Sequence, residues 1–227
     1  TSISTVTFGT GITEIAPSMF AGCKQIKEIS IPANIVSIGD NAFHYCEKLE
    51  KFKIEDSEDV LTLGEDTVWI ERREYSSGGI YVEYNCRHSG LLSCTNLKEV
   101  YIGRNLIYPS SFNRGFKEKT KCGYEWSNSW NCNASRVLSH FYNLGTPFKS
   151  KIDVMIIIGD KVTRLGNFLF EQQSMLSFKV PDNCKEIGDY CFYHCHKLQS
   201  IDLNNCNTIG SKAFLECDKL QSINFGA

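Results

Sequence analysis

Apolar and polar residues alternate at the end of each of four similar segments of the chain. The segments are residues 15–31 (IAPSMFAGCKQIKEISI), 38–54 (IGDNAFHYCEKLEKFKI), 187–203 (IGDYCFYHCHKLQSIDL) and 209–225 (IGSKAFLECDKLQSINF). Each closes on an alternating triplet such as Ile201-Asp202-Leu203, which predicts a strand with one buried face. Earlier in each segment the apolar residues lie five, three and three positions apart, as in Ile187, Phe192, Cys195 and Leu198. This spacing predicts a tight turn followed by a short helix or 3₁₀ segment.

The same pattern recurs with a nearly fixed period along the chain. The last apolar residues of the copies are Phe8, Ile31, Ile54, Ile102, Ile158, Val180, Leu203 and Phe225. Neighbours in this series are 22 or 23 residues apart, except for two longer steps of 48 and 56. One coil of this kind cannot bury its own apolar edge, whereas stacked coils bury it and pair their strands in parallel. We therefore predict one domain over residues 1–227, with eight parallel strands in one sheet and insertions at about 65–90 and 112–147.

Glycine follows the apolar residue that opens several copies. These positions are Gly39, Gly64, Gly166, Gly188 and Gly210. A position repeatedly held by glycine indicates either a positive φ or the close approach of another backbone segment. The sequence leaves these two explanations open.

The repeat resembles the BspA-like leucine-rich repeats, a bacterial subclass with a period of about 23 residues. The resemblance is carried by the IGxxAF and C-x-x-L elements and by the Ile-Pro and Val-Pro pairs, namely Ile38, Gly39, Ala42, Phe43, Cys46, Leu49, Ile31-Pro32 and Val180-Pro181. It covers about residues 1–64, 91–111 and 148–227, and the spacing slips by one near Gln173. It implies an α/β leucine-rich-repeat solenoid, a right-handed β-α superhelix of horseshoe-like shape with one parallel sheet.

The resemblance also implies a role. It implies export, display on the cell surface, and binding of proteins of a host, its matrix or neighbouring cells. We therefore expect a non-enzymatic adhesion or binding module at the cell surface or outside the cell. A carbohydrate-binding accessory protein of the cell surface is the alternative.

The eleven cysteines are mostly explained by the repeat. Eight occupy repeat positions where a small apolar residue belongs: Cys23, Cys46, Cys94, Cys184, Cys191, Cys195, Cys206 and Cys217. Free cysteine behaves as a small hydrophobic residue, so these positions predict reduced thiols in the core. A disulfide between stacked copies is the alternative. Cys122 and Cys132 lie in the second insertion, where they are either free or close a short loop.

The segment CFYHCH at 191–196 has the composition of a zinc site. By register, Cys191 and Cys195 point into the core, whereas His194 and His196 flank Cys195 and point outward. The four candidate ligands should therefore diverge, and we expect no metal there.

Composition excludes other classes of protein. The formal net charge is −2, whereas a nucleic-acid binder would need a basic surplus to contact phosphates. No apolar run approaches the roughly 18 residues that a membrane-spanning helix needs. The motifs G-x-S-x-G, H-E-x-x-H, G-x-G-x-x-G and the P-loop are absent from the sequence. We therefore predict no catalytic residue and no cofactor.

Two surfaces are candidates for contact with a partner. The outward positions of the predicted strands are polar and mixed in charge, and Tyr101 and Ile157 form an apolar spot on them. The insertions hold the aromatic residues Trp69, Trp126, Trp130 and Tyr124. Aromatic side chains on loops are common binding anchors, but these rings could equally fold back and cover the solenoid. The glycan alternative rests on Trp126, Trp130 and Tyr124.

The first insertion has strand-like sequence on both sides of a glycine pair. VWIERREY precedes Ser77-Gly78-Gly79, and GGIYVEYN includes this glycine pair and continues beyond it. This arrangement predicts a β-hairpin outside the main ladder.

The two ends of the chain lack polar capping sequences. The chain begins within a strand motif at Ile3, Val6 and Phe8, and it ends two residues after Phe225. Solenoids need caps because an open end exposes a layer of core. We therefore expect a piece of a longer protein, and end-to-end self-association at high concentration.

Overall fold

The computed structural model of the chain describes residues 2–70, 84–89, 91, 94–108, 148 and 154–226, and at 65–70 and 84–89 it describes the backbone alone. Every regular element in these ranges is a strand. In chain order the strands are β1 (Glu14–Ile15), β2 (Glu28–Ile31), β3 (Ser37–Ile38), β4 (Lys51–Ile54), β5 (Leu61–Leu63), β6 (Glu65–Ile70), β7 (Tyr84–Ser89), β8 (Glu99–Ile102), β9 (Leu106–Ile107), β10 (Met155–Ile158), β11 (Arg164–Leu165), β12 (Ser177–Lys179), β13 (Glu186–Ile187), β14 (Ser200–Asp202), β15 (Thr208–Ile209) and β16 (Ser222–Asn224).

The strands stack in parallel ladders, one coil upon the next. The longer strands up to residue 158 form a sheet in the order β10-β8-β4-β2, and the shorter ones up to residue 107 form a sheet in the order β1-β3-β5-β9. The strands after residue 158 repeat this arrangement with β12-β14-β16 and β11-β13-β15. Residues at the same position of successive repeats lie opposite each other in the ladder. Ile31 lies opposite Ile54, and Ile54 lies opposite Ile102. The predicted stack of parallel coils is confirmed.

The prediction of eight strands in one sheet is wrong in two respects. Among the described residues no strand ends at Phe8, and the other seven strands form two sheets, which break between β10 and β12. The break coincides with the slip near Gln173. Leu165 pairs with Ile187 at an offset of 22 residues, whereas Phe178 pairs with Ile201 at an offset of 23. The segment from Leu165 to Phe178 is therefore one residue shorter than the corresponding segment from Ile187 to Ile201.

The helix expected in each coil is absent from the described residues, so the β-α superhelix is wrong on this point. Alternate N–H groups there bond to the next coil, as Phe20 N does to Ala42 O at 2.8 Å. The N–H groups in between bond three residues back, as Ala21 N does to Ser18 O at 3.0 Å, and the pattern recurs in the coil of Phe192. In an α-helix, every N–H group would bond to a carbonyl four residues earlier in the same coil, and none would bond to the next coil. The φ of 57° at Ser18 also lies outside the range of helical dihedrals. No helix long and apolar enough for a membrane crossing occurs in the described ranges.

The described strands at the two ends of the first insertion pair as the predicted hairpin requires. β6 and β7 pair antiparallel, with Val68 opposite Cys86 and Ile70 opposite Tyr84. The two strands form a sheet of their own, separate from the parallel ladders. Residues 71–83 between them lie outside the described residues.

Phenylalanine rings stack from coil to coil in the core. The rings of Phe20 and Phe43 have centroids 5.4 Å apart and planes 11° apart. Phe192 stacks on Phe170 at 5.0 Å on one side and on Phe214 at 5.4 Å on the other. Equivalent rings of neighbouring coils therefore stack on one another, and among the described residues they form two separate stacks.

The repeated cysteine is more than a small apolar residue. Four of these thiols donate to the carbonyl of the phenylalanine one coil earlier: Cys46 to Phe20 (3.3 Å), Cys94 to Phe43 (3.4 Å), Cys195 to Phe170 (3.0 Å) and Cys217 to Phe192 (3.1 Å). Alanine and valine have the same small apolar character but no hydrogen to donate. The sequence predicted the burial but not these hydrogen bonds.

The described cysteines are free thiols. The eight are those that occupy the repeat positions, and Cys206 and Cys217 are partly exposed whereas the other six are buried. The predicted position in the core is confirmed for the six buried cysteines and not for Cys206 and Cys217. Burial raises the pKa of the Cys191 thiol, so it stays protonated and unreactive. The predictions for Cys122 and Cys132 lie outside the described residues.

The repeated glycine is explained by close approach, not by a positive φ. Among the described glycines, a positive φ occurs at Gly22 and Gly226. A Cβ at Gly39 would lie 2.5 Å from the backbone nitrogen of Pro17, and one at Gly64 would lie 2.6 Å from that of Asp40. Neighbouring coils therefore pack backbone against backbone at this position.

The last coil exposes apolar side chains that are buried in earlier coils. Ile223 is 38% exposed and Phe225 is 68% exposed, whereas Ile201, the partner of Ile223 in the ladder, is 2% exposed. Self-association through this surface stays a prediction.

Candidate functional site

The outward side chains of the first sheet change from polar to apolar along the ladder. On β2 and β4 they are glutamate, serine and lysine. On β8 and β10 they include Tyr101, Met155 and Ile157, of which Met155 is 55% exposed and Ile157 is 39% exposed. Tyr101 lies directly opposite Ile157 in the register. We call Tyr101, Met155 and Ile157 the apolar patch.

An open groove of about 470 Å³ runs over this sheet. It is lined by Glu28, Ile29, Ser30, Lys51, Phe52, Lys53, Asp56, Glu99, Tyr101 and Ile157. Its volume falls within the range of ligand-binding clefts. The structure thus places the two predicted strand-face residues, Tyr101 and Ile157, in one concave site that also contains charged side chains.

Tyr101 is held in a fixed position within the groove. Its hydroxyl donates to the Asp56 carboxylate, at 2.9 Å from Oδ1 and 3.1 Å from Oδ2. Lys53 Nζ lies 5.9 Å from the centre of the Tyr101 ring, a cation–π contact. Burial, together with the hydrogen bond to Asp56, raises the pKa of Tyr101, so the hydroxyl stays a donor. A ring fixed before binding loses less conformational entropy when a partner covers it.

Charges of alternating sign border the apolar patch. Lys51 lies between Glu28 and Glu99 in the register of the sheet. Within the described ranges, no ion pair joins Lys51 to either carboxylate. These charges are therefore available to a partner, and such an arrangement selects partners of complementary pattern more than it adds affinity.

The predicted aromatic site residues of the insertions are not part of this description. The backbone of Trp69 lies in β6, but its side chain is outside the described residues. Trp126, Trp130 and Tyr124 also lie outside them. Their role in binding stays a prediction.

Met155 is an exposed residue of the apolar patch that the sequence analysis missed. The four consecutive apolar residues of β10 hide the alternation that marks outward positions elsewhere. Counting back two positions from Ile157 would have placed Met155 on the same face, because strand side chains alternate with a period of two.

A hydrogen-bonded chain of four titratable side chains connects the last two coils. His194 Nδ1 lies 2.9 Å from Glu216 Oε2 and 3.1 Å from His196 Nε2. On its other side, His196 Nδ1 lies 3.0 Å from Asp218 Oδ2. Cys191 and Cys195 of the same segment are buried and His196 is exposed, as the register predicted, whereas the His194 side chain is only 13% exposed. Across the described part of the chain, no group of three or more His, Cys, Asp or Glu side chains is arranged to hold a metal ion.

Acid is expected to destabilise the fold as the pH falls below about 6.5, the ordinary histidine pKa. Burial lowers the pKa of His44, and it also lowers that of His194, where it outweighs the opposing effect of Glu216. The unfolded chain therefore binds these protons at a higher pH than the folded chain does. The stability that comes from keeping these two histidines neutral is complete at a pH above their pKa in the unfolded chain. It is lost as the pH falls towards their pKa in the folded chain.

Urea unfolding at about pH 7.5 and pH 5.5 checks this expectation, since carboxylates titrate mainly below that window. The loss of stability between the two pH values should be smaller in His44→Gln and in His194→Gln than in the unmodified chain. Equal losses in all three proteins would contradict it.

Solved bacterial structures resemble the chain over most of its length. A leucine rich cell surface protein from Faecalibacterium prausnitzii is 18% identical with a TM-score of 0.42, and the match covers 98% of this chain and 54% of that protein. A leucine-rich repeat protein from Bacteroides ovatus is 19% identical with a TM-score of 0.36, covering 93% and 58%. One from Eubacterium ventriosum is 15% identical with a TM-score of 0.27, covering 95% and 71%. The chain thus spans little more than half the length of the first two. No curated protein matches the chain.

A family match covers the parts of the chain that form the ladders. The BspA type leucine rich repeat region matches residues 1–68 and 148–227, with six copies. The matched ranges contain the IGxxAF and C-x-x-L elements, whose phenylalanines stack and whose cysteines bond to the preceding coil. The chain belongs to the BspA type leucine-rich-repeat family.

Proposed function

We propose that the chain is a non-enzymatic binding module of the cell surface or extracellular space that recognises a protein through the outward face of β2, β4, β8 and β10. The observation that carries this proposal is the apolar patch, which borders charged side chains in the groove. Membership of a leucine-rich-repeat family supports a protein-interaction role, although fold alone does not identify the partner.

The patch has the composition of the centre of a protein interface. Such centres bury aromatic and aliphatic anchors and are surrounded by a polar rim. Tyr101 is a preoriented aromatic ring, and Met155 and Ile157 expose large parts of their side chains. Full burial of an aliphatic side chain of this size contributes about 1.5–3 kcal/mol. The alternating charges on β2, β4 and β8 form one side of the rim.

Adhesion is the biological role that we infer from such a surface, with proteins of a host, its matrix or neighbouring cells as partners. The aromatic residues of the insertions, Trp69, Trp126, Trp130 and Tyr124, are proposed to extend the contact. A glycan would be bound by Trp126, Trp130 and Tyr124 without the patch. The two partner classes therefore depend on different residues.

Surface plasmon resonance against purified extracellular-matrix proteins, run beside a glycan array, tests this proposal. The test variants are Met155→Asp and Ile157→Asp, which place a charge within the patch at positions that are already exposed. The matched control is Ser222→Asp, at an exposed outward position of β16, outside the patch. We expect each patch variant to weaken binding of the matrix protein by about tenfold or more, which corresponds to about 1.4 kcal/mol, and the control to leave it unchanged.

Three outcomes count against the proposal. Equal affinity of the patch variants and the control would show that the patch is not the binding surface. Binding to glycans alone, abolished by Trp126→Ala or Trp130→Ala, would favour the carbohydrate-binding alternative. No binding to any protein of the panel would leave the protein-binding role without support.

A further inference from the structure

Acidic side chains gather at the edge of the first sheet where its strands end. Four of the five residues that directly follow β4 are carboxylates, in the segment EDSED at 55–59. Asp160 follows β10 at the same edge, because β4, β8 and β10 run parallel and their carboxyl ends lie on one side of the sheet. We use the term acidic edge for Glu55, Asp56, Glu58, Asp59 and Asp160.

Two glycines let the acidic segment after β4 lie across the next two coils. A Cβ at Gly103 would lie 2.5 Å from the backbone nitrogen of Asp56, and one at Gly159 would lie 2.6 Å from Asp56 Oδ1. The segment therefore packs directly on the backbone that follows β8 and β10. Further along it, Glu58 Oε1 reaches Lys161 Nζ at 2.7 Å. The carboxylates after β4 and the one after β10 thus belong to a single surface.

A buried arginine stabilises the acidic segment from within the protein. Arg104 is 0% exposed, and its guanidinium donates to Pro32 O at 2.9 Å and to Ala33 O at 3.0 Å. Burial lowers the pKa of Arg104, whereas the carboxylates of Asp59 and Glu55 lie close enough to oppose this shift. Because the guanidinium is buried, it attracts the segment without presenting a cation to a partner.

The acidic edge adjoins the apolar patch and retains unpaired negative charge. Asp56 lines the groove and accepts the hydrogen bond of the Tyr101 hydroxyl. Burial and Asp56 are the larger causes of the raised pKa of Tyr101, and the nearby negative charge of Asp160 adds to them. Asp59 and Asp160 are exposed, and within the described ranges no ion pair joins either of them to a cation.

The lysines of the groove lie on the other side of the patch. Lys51 and Lys53 are on β4, which β8 separates from Met155 and Ile157 on β10. Cationic groups of a partner would be repelled at β4 and attracted at the acidic edge, and anionic groups would be attracted at β4. The distribution of charge around the patch therefore favours one orientation of a bound partner.

We propose that the protein bound at the patch carries a basic segment next to its apolar anchor, so that lysine or arginine side chains contact the acidic edge while the anchor covers Met155 and Ile157. The proposal rests on the proposed function, because it specifies the chemistry of the partner. Charge complementarity supports it, since the unpaired carboxylates lie at the end of the patch and the lysines lie beside it. Attraction of this kind speeds association and is screened by salt.

Fluorescence anisotropy with two labelled peptides tests the proposal on the full chain. The basic peptide has a pair of leucines followed by three arginines, with glycine and serine as spacers. In the control peptide, glutamates replace the arginines. We expect the chain to bind the basic peptide at least about tenfold more tightly than the control at about 0.15 M salt, and the difference to shrink as the salt is raised to about 0.5 M.

Substitutions in the chain locate the contact. Asp160→Lys reverses an exposed charge of the acidic edge, and Glu14→Lys is the matched control, with the same change of net charge at an exposed position of β1. We expect Asp160→Lys to weaken the basic peptide at least about tenfold, Asp160→Asn to weaken it less, and Glu14→Lys to change it by less than about twofold. Ile157→Ala, which leaves the charge unchanged, should weaken it by about threefold or more. Melting temperatures establish that each variant is folded.

Each other outcome overturns the proposal in a recognisable way. Equal binding of both peptides, or no binding of either, would show that the site does not select a basic segment. Equal losses in Asp160→Lys and Glu14→Lys would mean that binding follows net charge and not the acidic edge. Unchanged affinity of Ile157→Ala would place the basic peptide away from the patch. If matrix-protein binding requires Met155 and Ile157 but the two peptides bind equally, the proposed function stands and the basic partner does not.

Discussion

Replacing Phe43 by alanine is expected to lower the free energy of unfolding by about 3–5 kcal/mol. The ring is 2% exposed, stacks on Phe20 at 5.4 Å and meets Phe52 edge to face at 5.5 Å. Its removal deletes contacts on two coils at once, and backbone pairing between coils limits how far the core can collapse into the space. Urea unfolding measures the loss.

Phe225→Ala is the matched control for this substitution. Phe225 is 68% exposed, so the same truncation should change stability by no more than about 0.5 kcal/mol. A loss below about 1 kcal/mol for Phe43→Ala would show that the stack does not form part of the core.

Gly39→Ala is expected to lower the free energy of unfolding by about 1–3 kcal/mol, although it adds a single methyl group. The new Cβ would lie 2.5 Å from Pro17 N, 2.7 Å from Pro17 Cδ and 2.9 Å from Pro17 Cα. The proline ring fixes its own φ, so these atoms cannot rotate away and the two coils must separate. Gly39 N also donates to Ile15 O at 2.8 Å, a bond that such a separation would lengthen.

Gly11 provides the comparison, because a Cβ at that position would meet no atom within 4 Å. Gly11→Ala should therefore leave the melting temperature nearly unchanged, while Gly39→Ala lowers it. Similar melting temperatures for the two variants would mean that the coils do not approach each other as closely as the structure shows.

The strands could be predicted because their signal is local. Alternation over three residues marked the strands that end at Ile31 and Ile54, and the period of 22 or 23 placed each beside the next. The burial of Cys46 and Cys195 followed from the same register. Period and register are properties of the sequence, and parallel stacking is the arrangement that buries one apolar edge per coil.

The helix predicted in each coil could not be excluded from the sequence, because the spacing of the apolar residues fits two different structures. Steps of five, three and three positions suit a short helix, and they equally suit two successive turns. The choice is decided by hydrogen bonds to the next coil, such as that from Phe20 N to Ala42 O, which a single repeat does not reveal. For the same reason the hydrogen bond from Cys46 to Phe20 was not predicted.

The break in the sheet between β10 and β12 was indicated in the sequence by a change of one residue in the repeat spacing, but the break itself was not predicted. The slip near Gln173 was apparent in the spacing, but one continuous sheet of eight strands was predicted across it. A coil that is one residue short must still close, and the ladder between β10 and β12 is the connection that is missing. Two of the three residues of the apolar patch were predicted, and Met155 was missed because the four apolar residues of β10 conceal which of them face outward.

The central claim is that a protein partner covers the apolar patch, and photo-crosslinking tests it most directly. A benzophenone amino acid is placed at Ile157 in one protein and at the outward position Ser222 of β16 in another, and each is irradiated with the tightest-binding matrix protein of the panel. The account predicts a covalent adduct from position 157, lost when Met155→Asp is added, and none from position 222. Adducts from position 222 alone, or from both positions with equal yield, would contradict it.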